Sequence, residues 1–236
     1  MAELIPNSYS TRWFDFFHVP ISEARTAGEI AFISKTATLP DFFRILDVCC
    51  GMGRHARALC SQGYSVTGLE RDARALAEAR NLAGGPVYLE TDIRHYQPGP
   101  DSFDAAIIMS QSFGYFDSAT NIDMLSRLRA GIRDGGLIIL DLWNPEFFNS
   151  HAGENEFQSP KGTVRERRRM IKDRLLVHLD YPDGGCDDFD WQLFTPAEMT
   201  IAARAASLEL LFSCTNYDIG SAPSPAQSKI QYVLRK

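Results

Sequence analysis

The segment Ile45-Leu46-Asp47-Val48-Cys49-Cys50-Gly51-Met52-Gly53-Arg54-His55 constrains the fold of this chain more than any other. An apolar strand carrying one acid runs into a turn of small residues, and the turn into a stretch with helical character that lasts to residue 62. A second apolar run at 64–69 ends beside Glu70, 19 residues after Gly51. Strand, small-residue turn, helix and an acid about 20 residues on make up the geometry of nucleoside binding. The turn lets a ligand approach the backbone, and the acid accepts hydrogen bonds from ribose hydroxyls.

What the turn lacks is informative. It does not carry the three glycines of a dinucleotide site, since Ala56 or nothing comparable stands at the third position. It also places Asp47 at the strand end, where a pyrophosphate is repelled and an ammonium is attracted. A ligand with a ribose, a positive amino or sulfonium group and no phosphate meets both conditions, and S-adenosylmethionine is that ligand.

The rest of the chain repeats the same rhythm. Strands are predicted at 44–48, 64–69, 86–89, 103–109 and 136–142, with helices at 51–62, 71–82 and 119–132. Parallel strands need crossovers, and helices supply them, so the pattern predicts a doubly wound sheet. Residues 1–40 are helical in pattern and aromatic. Residues 155–194 read instead as antiparallel strands at 163–171, 174–181 and 189–194, with Asp183-Gly184-Gly185 as a turn. Thr195-Pro196-Ala197-Glu198 carries the N-cap, first-turn proline and capping-box acid of a helix start. Strands at 208–214 and 229–235 close the pattern. The expected fold class is therefore α/β, a Rossmann-like, doubly wound, mostly parallel seven-stranded sheet with a reversed C-terminal strand, plus a small antiparallel β insert. The expected domains are a cap (1–40), a core (41–154 and 195–236) and the insert (155–194).

Composition excludes several classes. With 236 residues, 44% of them hydrophobic, the chain has enough apolar material for one large domain. A net charge of −6 argues against a dedicated nucleic-acid or anionic-membrane binder. The basic cluster at 165–169 does not change this. Residues 161–174 carry a net +5 and residues 175–190 a net −5, as expected of strands whose charges pair across a sheet. Five cysteines, no zinc-type spacing and no signal-like amino terminus predict a cytoplasmic protein without metal or disulfide scaffold.

Residues 45–53 together with Glu70 resemble motif I of the class I S-adenosylmethionine-dependent methyltransferases, D-x-G-x-G-x-G, and the element order from about 40 to 145 resembles their core. The likeness is strongest to small-molecule enzymes with an N-terminal helical cap and an antiparallel insert after the fifth strand. By position, the resemblance implies that Asp47, Cys49, Gly51, Gly53 and Arg54 line the methionine part of the cofactor and that Glu70 binds the ribose. It places Arg71, Asp92 and Ile93 around the adenine, Ser110 and Gln111 under the sulfonium, and Tyr9 over the methionine carboxylate. Cys49 stands where the family has its first glycine, which a side chain tolerates if the backbone there is not left-handed.

Trp13, Phe113, Tyr115, Trp143, Asn144 and Trp191 fall in segments expected to rim the ligand crevice of such a sheet, and are the candidate substrate contacts. No residue declares itself as a catalytic base; His151 and Asp141 are the candidates. The sequence after the fourth strand, Ser110-Gln111-Ser112-Phe113, lacks the Asp/Asn-Pro-Pro-Tyr/Phe of base-amine methyltransferases. The expectation is methyl transfer to nitrogen or oxygen of a small molecule, a specialised metabolite, releasing S-adenosylhomocysteine. The partners expected are a small-molecule acceptor, no nucleic acid, no membrane, and a monomer or homodimer. A cofactor-dependent cyclisation or rearrangement without methyl loss, and a non-catalytic cofactor-binding protein, stay open.

Overall fold

The computed structural model describes Phe16 and residues 21–82, 84–159 and 161–236. Among these, seven strands form the main sheet: β1 (Arg44–Val48), β2 (Ser65–Glu70), β3 (Val87–Glu90), β4 (Phe103–Ile108), β5 (Ile132–Trp143), β10 (Glu209–Cys214) and β11 (Lys229–Arg235). Their order is β10-β11-β5-β4-β1-β2-β3. β11 runs antiparallel to both its neighbours, and the pairs from β5 to β3 are all parallel. The expected reversal of the last strand is therefore present.

Both faces of this sheet are covered, which is why its central strands read as continuous apolar runs rather than alternating ones. Along β4, Ala105 and Ile107 face one side and Ala106 and Ile108 the other, and all four are fully buried. The first side packs on α1 (Glu23–Thr36) through Ile30 and Ile33 and on α2 (Arg54–Ser61) through Ala56 and Leu59. The second packs on α4 (Ser118–Gly131) through Met124 and Leu128 and on α6 (Pro196–Ala205) through Met199 and Ala203. A fully buried leucine or isoleucine contributes about 1.5–3 kcal/mol, so these two layers hold the strand ends in fixed register. Between them, α3 (Ala73–Asn81) starts on an Asp72 N-cap, and α6 starts on the anticipated Thr195/Glu198 capping box.

A second sheet of four antiparallel strands comprises β6 (Gly153–Ser159), β7 (Gly162–Ile171), β8 (Arg174–Asp180) and β9 (Cys186–Gln192). The sequence pattern shows three of these. It misses β6 because that strand is mostly exposed and polar, with no hydrophobic alternation to reveal it. Two of the cross-strand pairs fall between the segments expected to pair, Arg167 with Asp180 at 3.1 Å and Arg174 with Asp190 at 2.6 Å, whereas Arg165 meets Glu156 at 2.9 Å. One of these acids lies on β6, the strand the sequence did not reveal.

The small sheet is fastened to α4 and to the loop after β4 by a buried amide. Gln192 accepts from Asn121 Nδ2 at 2.9 Å and donates to Ser118 Oγ and Asp173, and its backbone N–H donates to Gly114 O at 2.7 Å. A side chain at Gly114 (φ +94°) would come within 2.2 Å of the Gln192 carbonyl, so glycine is required where this loop meets β9. Among the described residues no helix is long and apolar enough to cross a membrane.

Candidate active site

The C-terminal ends of β1, β2 and β4 open into a cavity of about 1160 Å³ whose further wall is the inner face of the four-stranded sheet. Ligands bind at this edge of doubly wound sheets because helix N-termini and strand-end loops converge there.

The turn from β1 to α2 forms the floor. Cys49, Gly51 and Gly53 all have positive φ, at 57°, 53° and 70°. The turn is tied to β2 by Cys50 N–H to Leu69 O at 2.9 Å and by Gly51 N–H to Glu70 Oε2 at 3.0 Å. Cys49 therefore sits in the left-handed conformation, contrary to the condition under which its side chain would be tolerated. The two bonds that fix the turn impose it, at a local cost of about 1–3 kcal/mol. Gly53 does not line the cavity. It caps α2, and a Cβ there would fall 2.0 Å from the Tyr88 hydroxyl, so its role is to let β3 close on the turn.

Asp47 is 1% exposed at the end of β1, and its Oδ2 makes no hydrogen bond among the described residues. Burial pushes its carboxyl up to about 6, opposed by the charges of His55 and Arg54 and by a backbone hydrogen bond from Ala56. A buried carboxylate oxygen with an unmade bond, facing a cavity floored by left-handed backbone, fits a ligand bearing an ammonium.

Glu70 accepts from three backbone N–H groups, those of Gly51, Arg71 and Asp72. A carboxylate has about four acceptor positions, so about one stays open for a hydroxyl. Asp92 is held by Arg94 in a two-pronged pair, with contacts of 3.0, 3.1 and 2.7 Å, and its hydrogen bonds to Arg94 lower its carboxyl below the ordinary range. Arg54, Arg71, Ile93, Ser110 and Gln111 also line the cavity.

Ser110 and Gln111 are consecutive left-handed residues at the end of β4. Asp141 imposes this turn: its Oδ2 receives Ser110 N–H at 3.1 Å, and its backbone carbonyl receives Gln111 N–H at 2.9 Å. The same carboxylate is bound by Lys229 Nζ and by Gln231 Nε2 from β11. Asp141 is fully buried and absent from the cavity lining, so the structure gives it a supporting place and not that of a base. His151, the other candidate, is exposed and stacks on Phe147 at 3.8 Å, also away from the cavity.

The aromatic candidates divide. Trp143, Tyr115 and Trp191 line the cavity, with Trp191 4.9 Å from Trp143 and 5.8 Å from Tyr115, centroid to centroid. Burial raises the Tyr115 hydroxyl well above the usual tyrosine range. Phe113 is fully buried against Phe194, in the core under α4 and α6. Asn144 is buried as the N-cap of α5 (Pro145–Ser150), where it also donates to the carbonyls of Ser224 and Gln227. Phe113 and Asn144 are thus corrected to structural positions, because the strand end turns them inward. Tyr9 and Trp13 lie outside the described residues.

Sequence reasoning missed two groups. Glu29 on α1 is fully buried and binds Arg25, Arg54, His55 and Tyr217, gathering α1, α2 and the β10–β11 connection around one carboxylate. Glu166 and Arg168 on β7 reach the cavity from the small sheet. The two-residue alternation of β7 was the available signal, since it places both on the face of buried Val164.

Comparison with known proteins settles the class of this site. A methyltransferase domain family matches residues 45–136. The dTDP-3-amino-3,6-dideoxy-alpha-D-glucopyranose N,N-dimethyltransferase of Streptomyces fradiae is 32% identical over 201 residues, covering 80% of this chain and 78% of that protein. The chain belongs to the S-adenosylmethionine-dependent methyltransferases. Solved methyltransferases share the fold of this methyltransferase across nearly its whole length. An S-adenosylmethionine-dependent enzyme of Clostridium acetobutylicum superimposes with a TM-score of 0.77 at 16% identity, over 95% of this chain and 96% of that one. An amino pentose methyltransferase of Micromonospora echinaspora, solved with the cofactor bound, gives 0.70 at 19% identity, over 98% and 100%. The methyltransferase uses S-adenosylmethionine.

Proposed function

We propose that this methyltransferase acts on the amino nitrogen of a small amino-deoxy sugar or a closely similar amino alcohol. The observation that carries the reading is a cavity of about 1160 Å³ shared by the β1–α2 turn and the aromatic wall of the small sheet. Ligand pockets commonly run to about 300–1,000 Å³, so this one has room for a nucleoside and a second small molecule together. The 32% identical relative, which is an N,N-dimethyltransferase of an aminodeoxy sugar nucleotide, supports nitrogen as the acceptor.

In this reading Asp47 holds the ammonium of the cofactor's amino-acid end with its unmade bond. Gly51, Cys49 and Arg54 surround that end, and Glu70 takes a ribose hydroxyl at its remaining acceptor position. Arg71 and Ile93 flank the adenine; Asp92 reaches its amino group only by sharing oxygens now engaged by Arg94. The Ser110–Gln111 turn supports the sulfonium. Bound S-adenosylmethionine supplies an electrophilic methyl group whose departure leaves neutral S-adenosylhomocysteine. The protein's task is then mainly alignment, and good orientation accounts for about 7–11 kcal/mol of barrier lowering in such displacements. Trp143, Tyr115 and Trp191 exclude water around the acceptor and set its approach, and the small sheet acts as a lid over it.

The test is incubation with S-adenosylmethionine and dTDP-3-amino-3,6-dideoxyglucose, with the 3-hydroxy sugar in parallel and products followed by mass spectrometry. One or two methyl groups on the amine, with matching S-adenosylhomocysteine, is the expected result. Methylation of the hydroxy sugar alone would overturn nitrogen as the acceptor, and a rearranged product without S-adenosylhomocysteine would favour a non-transfer reaction.

A further inference from the structure

The four-stranded sheet turns an apolar face to the cavity, and two charges stand in it. On β7, Arg165 and Arg167 point outward to exposed acids, while Glu166 and Arg168 point inward with Val164. Their partners in register on β8 are Leu179 and Val177, both buried and apolar. Glu166 is 7% exposed, and its Oε2 lies 2.6 Å from a terminal nitrogen of Arg168. The Arg168 guanidinium sits 5.3 Å from the centre of the Phe148 ring, and its Nε–H is buried with no hydrogen-bond partner among the described residues. Both residues line the cavity that the cofactor turn lines.

Stability does not account for this placement. With Glu166 9% and Arg168 26% exposed at the side chain, the pair is largely withdrawn from water on an apolar face, where it gains little net energy over well-packed hydrophobic residues of the same volume. A carboxylate and an underused guanidinium side by side in an aromatic-walled cavity match a ligand that offers a charged donor beside an acceptor.

We propose that Glu166 and Arg168 are the acceptor-recognition pair. Glu166 takes hydrogen bonds from the acceptor's amino group, and Arg168 donates to an oxygen on the neighbouring carbon, so the ligand class is a vicinal or near-vicinal amino alcohol. The inference rests on the amine reading above and adds the residues that impose it. During transfer the nitrogen lone pair forms the new C–N bond as the C–S bond of the donor breaks, with its electron pair left on sulfur. The proton shed by nitrogen passes to the Glu166 carboxylate and from there to solvent.

The experiment compares wild type, Glu166→Gln and the double variant Glu166→Gln/Arg168→Gln, the last removing both charges together so that neither is left buried alone. Donor affinity is read by calorimetry, acceptor binding by titrating dTDP-3-amino-3,6-dideoxyglucose into protein saturated with S-adenosylhomocysteine, and turnover by steady-state kinetics. Both variants are expected to keep donor affinity within about twofold and to lose acceptor affinity by ~tenfold or more, with KM rising in step. Glu166→Asp is expected to recover part of the loss. Unchanged acceptor affinity in variants that fold and bind donor would overturn the pair's role while leaving nitrogen methylation intact. A wild type that binds and methylates only the hydroxy sugar would overturn the amine reading and this inference with it.

Discussion

Asp47 makes the clearest statement a single residue makes here. Its carboxyl, pushed up to about 6 by burial, lies above the ordinary 3.8. Between those values the unfolded chain has released a proton that the folded chain retains. Stability of the free protein therefore falls as pH rises through that window, by about 3 kcal/mol. An ammonium bound at Oδ2 favours the charged form, so donor binding below about pH 6 expels a proton. Calorimetry is expected to show donor affinity rising from about pH 5 to about pH 7, with proton release at the acid end; affinity that is flat across this range would remove Asp47 from the binding step. The same residue shows what sequence can convey. An acid at a strand end before small residues was legible as a cation site, but the left-handed Cys49 beside it was not, because nothing in residue type shows that two backbone bonds to β2 force the turn.

Among the elements, the end of β4 depends on its neighbour β5. Asp141 lies in the middle of four donors, two of them on β11, and fixes the consecutive left-handed residues Ser110 and Gln111. Asp141→Ala is expected to cost about 3 kcal/mol or more, because it leaves Lys229 beside the buried gap without its partner, measured as a lower urea midpoint. A variant of unchanged midpoint that has lost turnover would restore Asp141 as a base. Strand positions and helix starts were legible to within a few residues because both rest on local pattern. β6 was not, since its Glu, Asn and Gln residues carry no period. Nor could local pattern separate Phe113 and Asn144, which turn into the protein, from Tyr115 and Trp143, which turn into the cavity; that choice depends on the turn Asp141 holds.

For the molecule as a whole, Glu29 joins regions distant in sequence. Burial alone would raise its carboxyl, but the hydrogen bonds and charges of His55 and Arg54 hold it far below the ordinary 4.5. A group lowered in this way contributes stability that is present above its unfolded value and lost as pH falls beneath it. Glu29→Gln is expected to lose about 2 kcal/mol at neutral pH, discounted from a fully buried pair because Arg25 is 44% exposed. Thermal melting from about pH 7 down to about pH 3 checks it: the variant's curve is expected to flatten on the acid side, and an acid limb equal to wild type would place that stability elsewhere.

The reversed strand β11 has a consequence for synthesis. Lys229 and Gln231, which clamp Asp141 and through it the turn beneath the donor site, leave the ribosome more than 80 residues after Asp141 itself. β11 pairs between β5 and β10 and buries Ile230, Tyr232, Val233 and Leu234 in both core layers, so the turn beneath the donor site is clamped only once that late strand has been made and has paired.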